Sequence, residues 1–172
     1  YFLSSYLNYR VKVGKENQSR LNERFGKSSI SKINKKMIWL HGSSVGESVA
    51  ALALANSMLK IGFKKKEFHF LITTNTLTSS NFVNNKIKDG FPGIHQFNPF
   101  DHPKYVERFL NYWKPEMAIF MESDFWPNLI CKSSDHNIPT ILASSQMSKK
   151  SSRFWKGLGN GLAKKVFKSI DL

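Results

Sequence analysis

Cysteines, acidic side chains and long apolar runs are all scarce in this 172-residue chain. The single cysteine, Cys131, excludes an intramolecular disulfide and fits a reducing compartment, and its apolar neighbours favour packing over nucleophilic chemistry. The longest apolar run, residues 49–55, is far shorter than the roughly 20 residues of a transmembrane helix. With 41% hydrophobic residues the chain can nevertheless build the core of one domain.

The shortage of acidic residues, 12 against 26 lysines and arginines, leaves a net charge of +14. Such a charge attracts nucleic acid, anionic lipid or a phosphorylated substrate without choosing among them, and a solvated lysine-rich surface explains it equally well. One basic group lies in the first segment, at Arg10, Lys12, Lys15, Arg20, Arg24, Lys27, Lys32, Lys35 and Lys36. Another lies near the end, at Lys149, Lys150, Arg153, Lys156, Lys164, Lys165 and Lys168.

Short apolar runs alternate with helical patterns from residue 37 onward. Strands are predicted at 37–40, 68–73, 94–97, 117–121 and 140–143, and helices at 48–60, 77–88, 103–113, 126–134 and 151–167. This alternation indicates right-handed βαβ units and a parallel sheet, hence an α/β, Rossmann-like domain. The predicted domain spans 37–172 after a basic, membrane-proximal lead-in of 1–36. Residues 170–172 are typical of another strand's opening, which suggests a fragment.

Glu47 ends the loop His41-Gly-Ser-Ser-Val-Gly-Glu47, which joins the first predicted strand to an apolar helix. Ligands of open parallel sheets bind at the carboxyl ends of strands, and a helix dipole stabilises a carboxylate at its N-terminus. An ordinary helix-start acid explains the position as well. The loop lacks the GxGxxG and GxxxxGK[ST] spacings, so dinucleotide and P-loop binding are disfavoured.

Three further strand-end loops carry polar residues. The hydroxyl-rich loop 73–80 suits either phosphate and sugar oxygens or helix capping. Asp101 is predicted to cap the helix that begins near Pro103. Glu122 directly follows the fourth strand and is expected to share a cleft with Glu47, while Trp126 either stacks on a sugar or fills the core. The scattered histidines show no metal-ligand spacing, so no metal site is expected.

Four of these loops, in this order, resemble the motifs of the 3-deoxy-D-manno-octulosonic acid (Kdo) transferases. Residues 41–47 are similar to that family's H-A-A-S-V-G-E, and residues 73–79 to its T-T-x-T-x-T-S. Residues 99–103 resemble its P-x-D-x-P, and residues 122–128 its E-[ST]-E-x-W-P-N. The segment from Gly14 to Gly26 is similar to the basic stretch that follows the family's membrane anchor. The resemblance spans most of the chain, and four motifs in register make it specific although each motif alone is weak.

The resemblance implies the N-terminal, acceptor-binding half of an inverting GT-B glycosyltransferase that needs neither cofactor nor metal. Its acceptor would be a lipid A precursor, and its donor would be CMP-Kdo, held by a C-terminal domain. The enzyme would act at the cytoplasmic face of the bacterial inner membrane. Nucleic acid is not an expected partner. Glu47 matches the general base and Glu122 a second acid. The expected substrate-binding residues are Ser43, Ser44, Gly46, Thr73, Thr74 and Thr76.

Several positions depart from the family pattern. Gly42 and Ser43 replace an Ala-Ala pair, Asn75 stands where glycine is common, and Gln146 replaces an arginine. No donor domain follows Leu172, so the chain alone is not expected to catalyse transfer. The alternative hypothesis is a stand-alone or degenerate basic domain that binds anionic lipid or nucleic acid without catalysis.

Overall fold

The computed structural model describes residues 2–64, 66–121, 126–143 and 160–172. Its strands are β1 (Lys36–His41), β2 (Phe68–Thr74), β3 (Gly93–Phe97), β4 (Met117–Phe120) and β5 (Thr140–Leu142). Its α-helices are α1 (Phe2–Lys12), α2 (Val45–Lys60), α3 (Leu77–Lys88), α4 (Pro103–Trp113), α5 (Pro127–Asp135) and α6 (Asn160–Lys168). A 3-10 helix, Gln18–Phe25, lies between α1 and β1.

All five strands pair in parallel, in the order β3-β2-β1-β4-β5, which confirms the predicted α/β class. The chain steps outward from β1 to β3 and then returns to the other side of β1 to form β4. Beyond β5, the Asp171 N–H donates to the Thr140 carbonyl and the Leu142 N–H to the Leu172 carbonyl, both at 2.8 Å. Residues 171–172 therefore lie along the outer side of β5 without forming a strand of their own.

Apolar side chains cover both faces of the sheet, which explains why the strands are continuous apolar runs. Trp39 packs on one face with α4, α5 and α6, where Phe109 and Leu129 are buried. Ile38 and Leu40 point to the opposite face with α2 and α3. The alternation along β1 thus supplies both hydrophobic cores from a single strand.

Helix bounds differ from the prediction mainly at N-termini. Helix α2 begins at Val45 rather than at 48, because Ser44 caps it, so Glu47 lies inside the first turn. Helix α6 is described from Asn160 onward, and residues 151–159 of the predicted helix lie outside the described residues. Among the helices within the described ranges, none has the length and apolar character needed to cross a bilayer.

The end of the lead-in is fixed to α4. Gly26 follows the 3-10 helix with φ of 73°, and a Cβ there would lie 2.1 Å from the Tyr105 carbonyl oxygen, so the approach requires glycine. Arg108 donates to the Phe25 carbonyl at 2.7 Å, and the Tyr112 hydroxyl donates to the Ile30 carbonyl at 2.6 Å. The domain boundary at residue 36 stays a prediction, but residues 25–30 already pack as part of the fold.

Candidate active site

The topological switch point of the sheet lies between β1 and β4, where ligands of open α/β sheets bind. The two strand ends are held together, since the Met121 N–H donates to the His41 carbonyl at 2.8 Å. The loop after β1 carries Glu47. The loop after β4 carries Glu122, which falls in residues 122–125, outside the described residues. That Glu47 and Glu122 share a cleft therefore stays a prediction.

Glu47 is the third residue of α2 and forms a capping box with Ser44. The Ser44 N–H donates to Glu47 Oε2 at 2.8 Å, and the Glu47 N–H donates to Ser44 Oγ at 3.3 Å. The helix-start role that the sequence left open is thus fulfilled. The half-buried carboxylate is anchored through Oε2, while no hydrogen bond from the described part of the chain reaches Oε1. One carboxylate oxygen is therefore oriented and the other can accept a proton.

Gly42 allows the first turn of α2 to approach the end of β1. A Cβ at Gly42 would lie 3.0 Å from both the Cβ and the carbonyl carbon of Glu47. Alanine, as in the family motif, would therefore require Glu47 to shift by a few tenths of an ångström. Gly46, by contrast, is exposed, and a Cβ there would come no closer than 4.0 Å to another atom, Ser44 Oγ.

Ser43 ties the loop after β1 to the loop after β2. Asn75 Nδ2 donates to Ser43 Oγ, and Ser79 Oγ donates to the Ser43 carbonyl at 3.1 Å. Thr76 caps α3 by accepting from the Ser79 N–H at 3.1 Å, and its side chain is exposed. Asn75 thus makes a side-chain contact to Ser43 that the family's frequent glycine cannot make.

Thr73 and Thr74 lie inside the sheet rather than at its open edge, and both are 0% exposed. Thr73 Oγ1 accepts from Trp39 Nε1 at 2.8 Å and is hydrogen-bonded to His41 Nδ1 at 2.8 Å. Thr74 Oγ1 is hydrogen-bonded to His95 Nε2 at 2.9 Å. Their substrate-binding role stays a prediction that this placement does not favour. Ser43, Ser44 and Thr76 lie in the loops after β1 and β2, and Gly46 lies in the first turn of α2.

The sequence analysis grouped Arg24 with the basic residues of the lead-in, but the structure places its side chain inside the fold. It is buried, and its Nη2 donates to Glu16 Oε1 at 2.9 Å and to the Asn75 carbonyl at 2.7 Å. Its Nη1 donates to the Asn98 carbonyl at 3.1 Å. Burial lowers the pKa of Arg24 and the Glu16 carboxylate opposes that shift. Arg24 therefore joins the lead-in to the loops after β2 and β3.

Arg20 is half-buried and also paired within the fold. Its Nε and Nη2 donate to the two carboxylate oxygens of Glu23 at 2.8 Å, and Glu23, itself 0% exposed, accepts from the Phe97 N–H at 2.6 Å. Bidentate, charge-assisted bonds of this kind are strong and directional. Arg20 and Arg24 thus do not contribute to a lipid-facing charge, which corrects their inclusion in that group. The spacing Arg20–Glu23 was the only local signal of the pairing.

His95 lies beside this cluster and is 2% exposed. Arg20 Nη2 donates to its Nδ1 at 3.0 Å, which places the ring proton on Nε2, facing Thr74 Oγ1 at 2.9 Å. Burial, reinforced by Arg20 and Arg24, holds the pKa of His95 well below its usual 6.5. The imidazole is therefore neutral in the folded chain at neutral pH.

A neutral buried histidine makes stability depend on pH. As pH falls, His95 takes up a proton in the unfolded chain before it does so in the folded chain. The stability that depends on neutral His95 is therefore fully present above the unfolded pKa of about 6.5, and it is lost as pH falls toward the lower pKa of the folded chain. We expect the free energy of unfolding to fall below pH 6.5 by up to about 1.4 kcal/mol per pH unit. Urea unfolding from pH 7.5 to 5 measures it.

The matched pair for this experiment is His95→Gln and His102→Gln, since His102 is exposed. We expect His95→Gln to flatten the slope between pH 6.5 and 5 and His102→Gln to leave it unchanged. An equal slope in all three proteins would show that His95 is protonated in the folded state as readily as in the unfolded chain.

Asp101 caps α5, not α4 as predicted. Asp101 Oδ2 accepts from the Asn128 N–H at 3.1 Å and Oδ1 from the Leu129 N–H at 2.8 Å. Helix α4 is instead capped by His102, whose Nδ1 accepts from the Lys104 N–H at 3.3 Å. Burial raises the pKa of Asp101 against these hydrogen bonds. Two of the motifs named above therefore meet in a structural contact.

The five-stranded, all-parallel sheet is consistent with a Rossmann-like glycosyltransferase N-terminal domain. A family profile described as 3-deoxy-D-manno-octulosonic-acid transferase (kdotransferase) matches residues 19–172. The chain belongs to this Kdo transferase family.

Named relatives agree with that assignment. The chain is 35% identical over 158 residues to the 3-deoxy-D-manno-octulosonic acid transferase of Rickettsia bellii, covering 91% of this chain and 35% of the relative. It is 36% identical over 150 residues to the "Probable 3-deoxy-D-manno-octulosonic acid transferase, mitochondrial" of Arabidopsis thaliana, a match that covers 87% of this chain and 32% of the relative. It is also 33% identical over 135 residues to the 3-deoxy-D-manno-octulosonic acid transferase of Haemophilus influenzae, a match that covers 78% of this chain and 30% of the relative. The chain spans about a third of the length of these curated relatives.

Proposed function

We propose that this chain is the acceptor-binding half of an enzyme that transfers Kdo from CMP-Kdo to a lipid A precursor. The observation that carries the proposal is Glu47, whose carboxylate stands at the switch point with Oε2 held by the Ser44 N–H at 2.8 Å. Family membership supports the Kdo transfer itself. The donor and acceptor are proposed from the motif resemblance.

In the proposed reaction Glu47 acts as general base. A sugar hydroxyl of the acceptor attacks the anomeric carbon of Kdo, and Glu47 Oε1 takes the hydroxyl proton as the new C–O bond forms. The bond from the anomeric carbon to the CMP phosphate oxygen breaks, and CMP leaves with that electron pair. Because Oε2 is anchored by the backbone, Oε1 is held in one orientation during the transfer. Glu122 is proposed as the second acid.

The exposed surface of α1 and of the turn after it supports a position at the cytoplasmic face of the inner membrane. Tyr6, Tyr9 and Val13 are 43%, 63% and 43% exposed, and Lys12 and Lys15 lie beside them on the surface. Aromatic rings with flanking lysines suit the interface of an anionic bilayer, where each basic residue contributes about 1 kcal/mol. The lead-in is proposed to hold the chain near its lipid acceptor.

A transfer assay tests the proposal. The chain is joined to the C-terminal part of the Rickettsia bellii relative, and incorporation of labelled Kdo from CMP-Kdo into a lipid A precursor is measured. We expect transfer by the joined protein and none by this chain alone. A folded joined protein that binds both substrates yet transfers nothing would contradict the proposed reaction.

A second candidate function, polyanion binding without catalysis, is favoured by a cavity at the amino ends of the strands, opposite the Glu47 loop. This cavity of about 540 Å³ is lined by five lysines against two glutamates. The lysines are Lys32, Lys35, Lys36, Lys66 and Lys114. Concave sites lined by charge of one sign concentrate ions of the opposite sign.

Salt titration separates this candidate from a merely solvated surface. We expect the chain to bind a labelled oligonucleotide or anionic vesicles. The slope of log binding constant against log salt concentration should become shallower by about 0.7–0.9 for each phosphate contact that a lysine substitution removes. The triple variant Lys32→Gln, Lys36→Gln, Lys114→Gln is compared with Lys60→Gln, Lys88→Gln, Lys104→Gln, which has the same charge. Equal losses in both variants would show that the cavity is no site.

A further inference from the structure

The loop between β1 and α2 determines where the Glu47 carboxylate stands relative to the sheet. The capping box joins Glu47 to Ser44, three residues earlier, so it orients the carboxylate only within its own turn. Ser43 is half-buried and Ser44 is exposed, and Gly42 before them has the backbone freedom of a residue without a Cβ. The position of the carboxylate therefore depends on what holds the loop itself.

Two side chains from beyond the end of β2 hold Ser43. Asn75 Nδ2 donates to Ser43 Oγ, and Ser79 Oγ donates to the Ser43 carbonyl at 3.1 Å. Ser79 is 0% exposed and lies in the first turn of α3, so it is part of the packed fold. Ser43 directly precedes Ser44, whose N–H donates to Glu47 Oε2. A movement of Ser43 would therefore move the group that orients the carboxylate.

Arg24 fixes the orientation of the Asn75 amide. Arg24 Nη1 donates to Asn75 Oδ1 at 3.4 Å, and Nη2 donates to the Asn75 carbonyl at 2.7 Å. Because a guanidinium has donors only, the amide oxygen faces Arg24 and the NH₂ group is left to face Ser43. Glu16 holds the guanidinium in turn, with Oε1 at 2.9 Å from Nη2. The amide is thus already oriented for its bond to Ser43, which reduces the side-chain entropy lost in forming it.

Ser43 and Asn75 are two of the positions at which this chain departs from the family motifs described above, and they meet in one hydrogen bond. Alanine in place of Ser43 would remove the acceptor, and glycine in place of Asn75 would remove the donor. The bond is therefore a property of this chain's own residues and not of the family's loop.

We propose that Asn75 is a positioning residue for Glu47 and acts through Ser43. By holding Ser43, Asn75 fixes the Ser44 N–H and with it Glu47 Oε2, so that Oε1 meets the acceptor hydroxyl in one geometry. The inference rests on the proposed function, since it gives Asn75 a part in the reaction of the proposed base. It also gives Ser43 a role other than the substrate binding that the sequence analysis expected.

A double-mutant cycle in the joined protein tests the kinetic part. Asn75→Ala and Ser43→Ala should each lower the single-turnover rate roughly 10-fold with little change in the acceptor KM, as expected when one well-placed hydrogen bond is lost. The double variant should match either single variant, because both remove the same bond. Ser43→Thr keeps the hydroxyl and should retain most of the rate. Asn85→Ala, on the exposed side of α3, is the matched control.

NMR of the ¹⁵N-labelled chain by itself tests the structural part without any transfer. We expect the backbone order parameter of Ser44 to fall from about 0.85, the value of a rigid backbone, toward about 0.6 in Asn75→Ala. The order parameters of β1 should stay unchanged, and Asn85→Ala should leave Ser44 as it is. Ser43→Ala gives the same measurement if Asn75→Ala does not fold.

Different results would overturn the inference and the proposed function. An unchanged Ser44 order parameter would show that Asn75 does not restrain the loop. A looser loop with an unchanged transfer rate, or additive losses in the double variant, would reject the positioning role. A higher acceptor KM in Ser43→Ala alone would show that Ser43 binds the acceptor directly. A joined protein without transfer would reject the proposed function, whereas the order parameters would still decide whether Asn75 holds the loop.

Discussion

Replacing Glu47 with glutamine in the joined protein is expected to lower Kdo transfer by roughly 100- to 10,000-fold, the usual contribution of a general base. Glutamine cannot take the acceptor proton, but it can still accept from the Ser44 N–H, so the capping box is preserved. The fold and the KM for the acceptor should therefore change little. Initial rates, with thermal melts in parallel, measure the result.

Two companion variants make the result specific to Glu47 as a base. Glu47→Ala loses the cap as well and should cost about 1 kcal/mol of stability in addition to the rate. Glu67→Gln, an exposed acid at the opposite edge of the sheet, should change neither. Transfer by Glu47→Gln within 10-fold of the unsubstituted protein would show that the carboxylate is only a helix cap.

Arg24→Met is expected to destabilise the chain by about 3–5 kcal/mol, because the buried Glu16 carboxylate then keeps only the more exposed Arg10, 3.2 Å away, as a cationic partner. The side chains of Arg24 and Glu16 are 5% and 4% exposed and 2.9 Å apart. The substitution also removes the donors to the Asn75 and Asn98 carbonyls. A loss of this size is a large fraction of a typical domain's 5–15 kcal/mol. Urea unfolding gives the difference.

The double variant Glu16→Met, Arg24→Met separates charge burial from packing. Since both charges are then gone, it should recover much of the loss that Arg24→Met causes. Lys86→Met is the matched surface control, because the Lys86–Asp89 pair is exposed and should matter by less than about 1 kcal/mol. A small loss in Arg24→Met would show that the lead-in is not integrated in the domain.

Local patterns in the sequence correctly predicted the strands, most helices and the α/β class. Strands β1, β2 and β4 are apolar because both faces are covered, so their positions can be read from composition alone. The Ser44-x-x-Glu47 spacing likewise contains the capping box, since both partners lie within one turn. The start of α2 was nevertheless placed three residues late, because its first turn is polar.

Contacts across long stretches of chain were the part that the sequence did not reveal. Arg24 meets Asn75 and Asn98, 51 and 74 residues away, and no periodicity marks such a pair. Asp101 looked like the cap of the nearby helix, yet it accepts from Asn128 and Leu129 at the start of another. Thr73 and Thr74 looked like open loop hydroxyls, but β2 extends far enough to bury both.

By itself, the sequence determined the elements and the acid that ends the first loop, because hydrophobic alternation and helix capping are set within a few residues. Tertiary structure alone decided which charges are internal. In sequence, Arg20 and Arg24 cannot be told from the surface lysines, and only the packing of the 3-10 helix on the loops after β2 and β3 buries Arg24 and half-buries Arg20. The order β3-β2-β1-β4-β5 likewise comes from strand pairing, and it places Glu47 at the switch point.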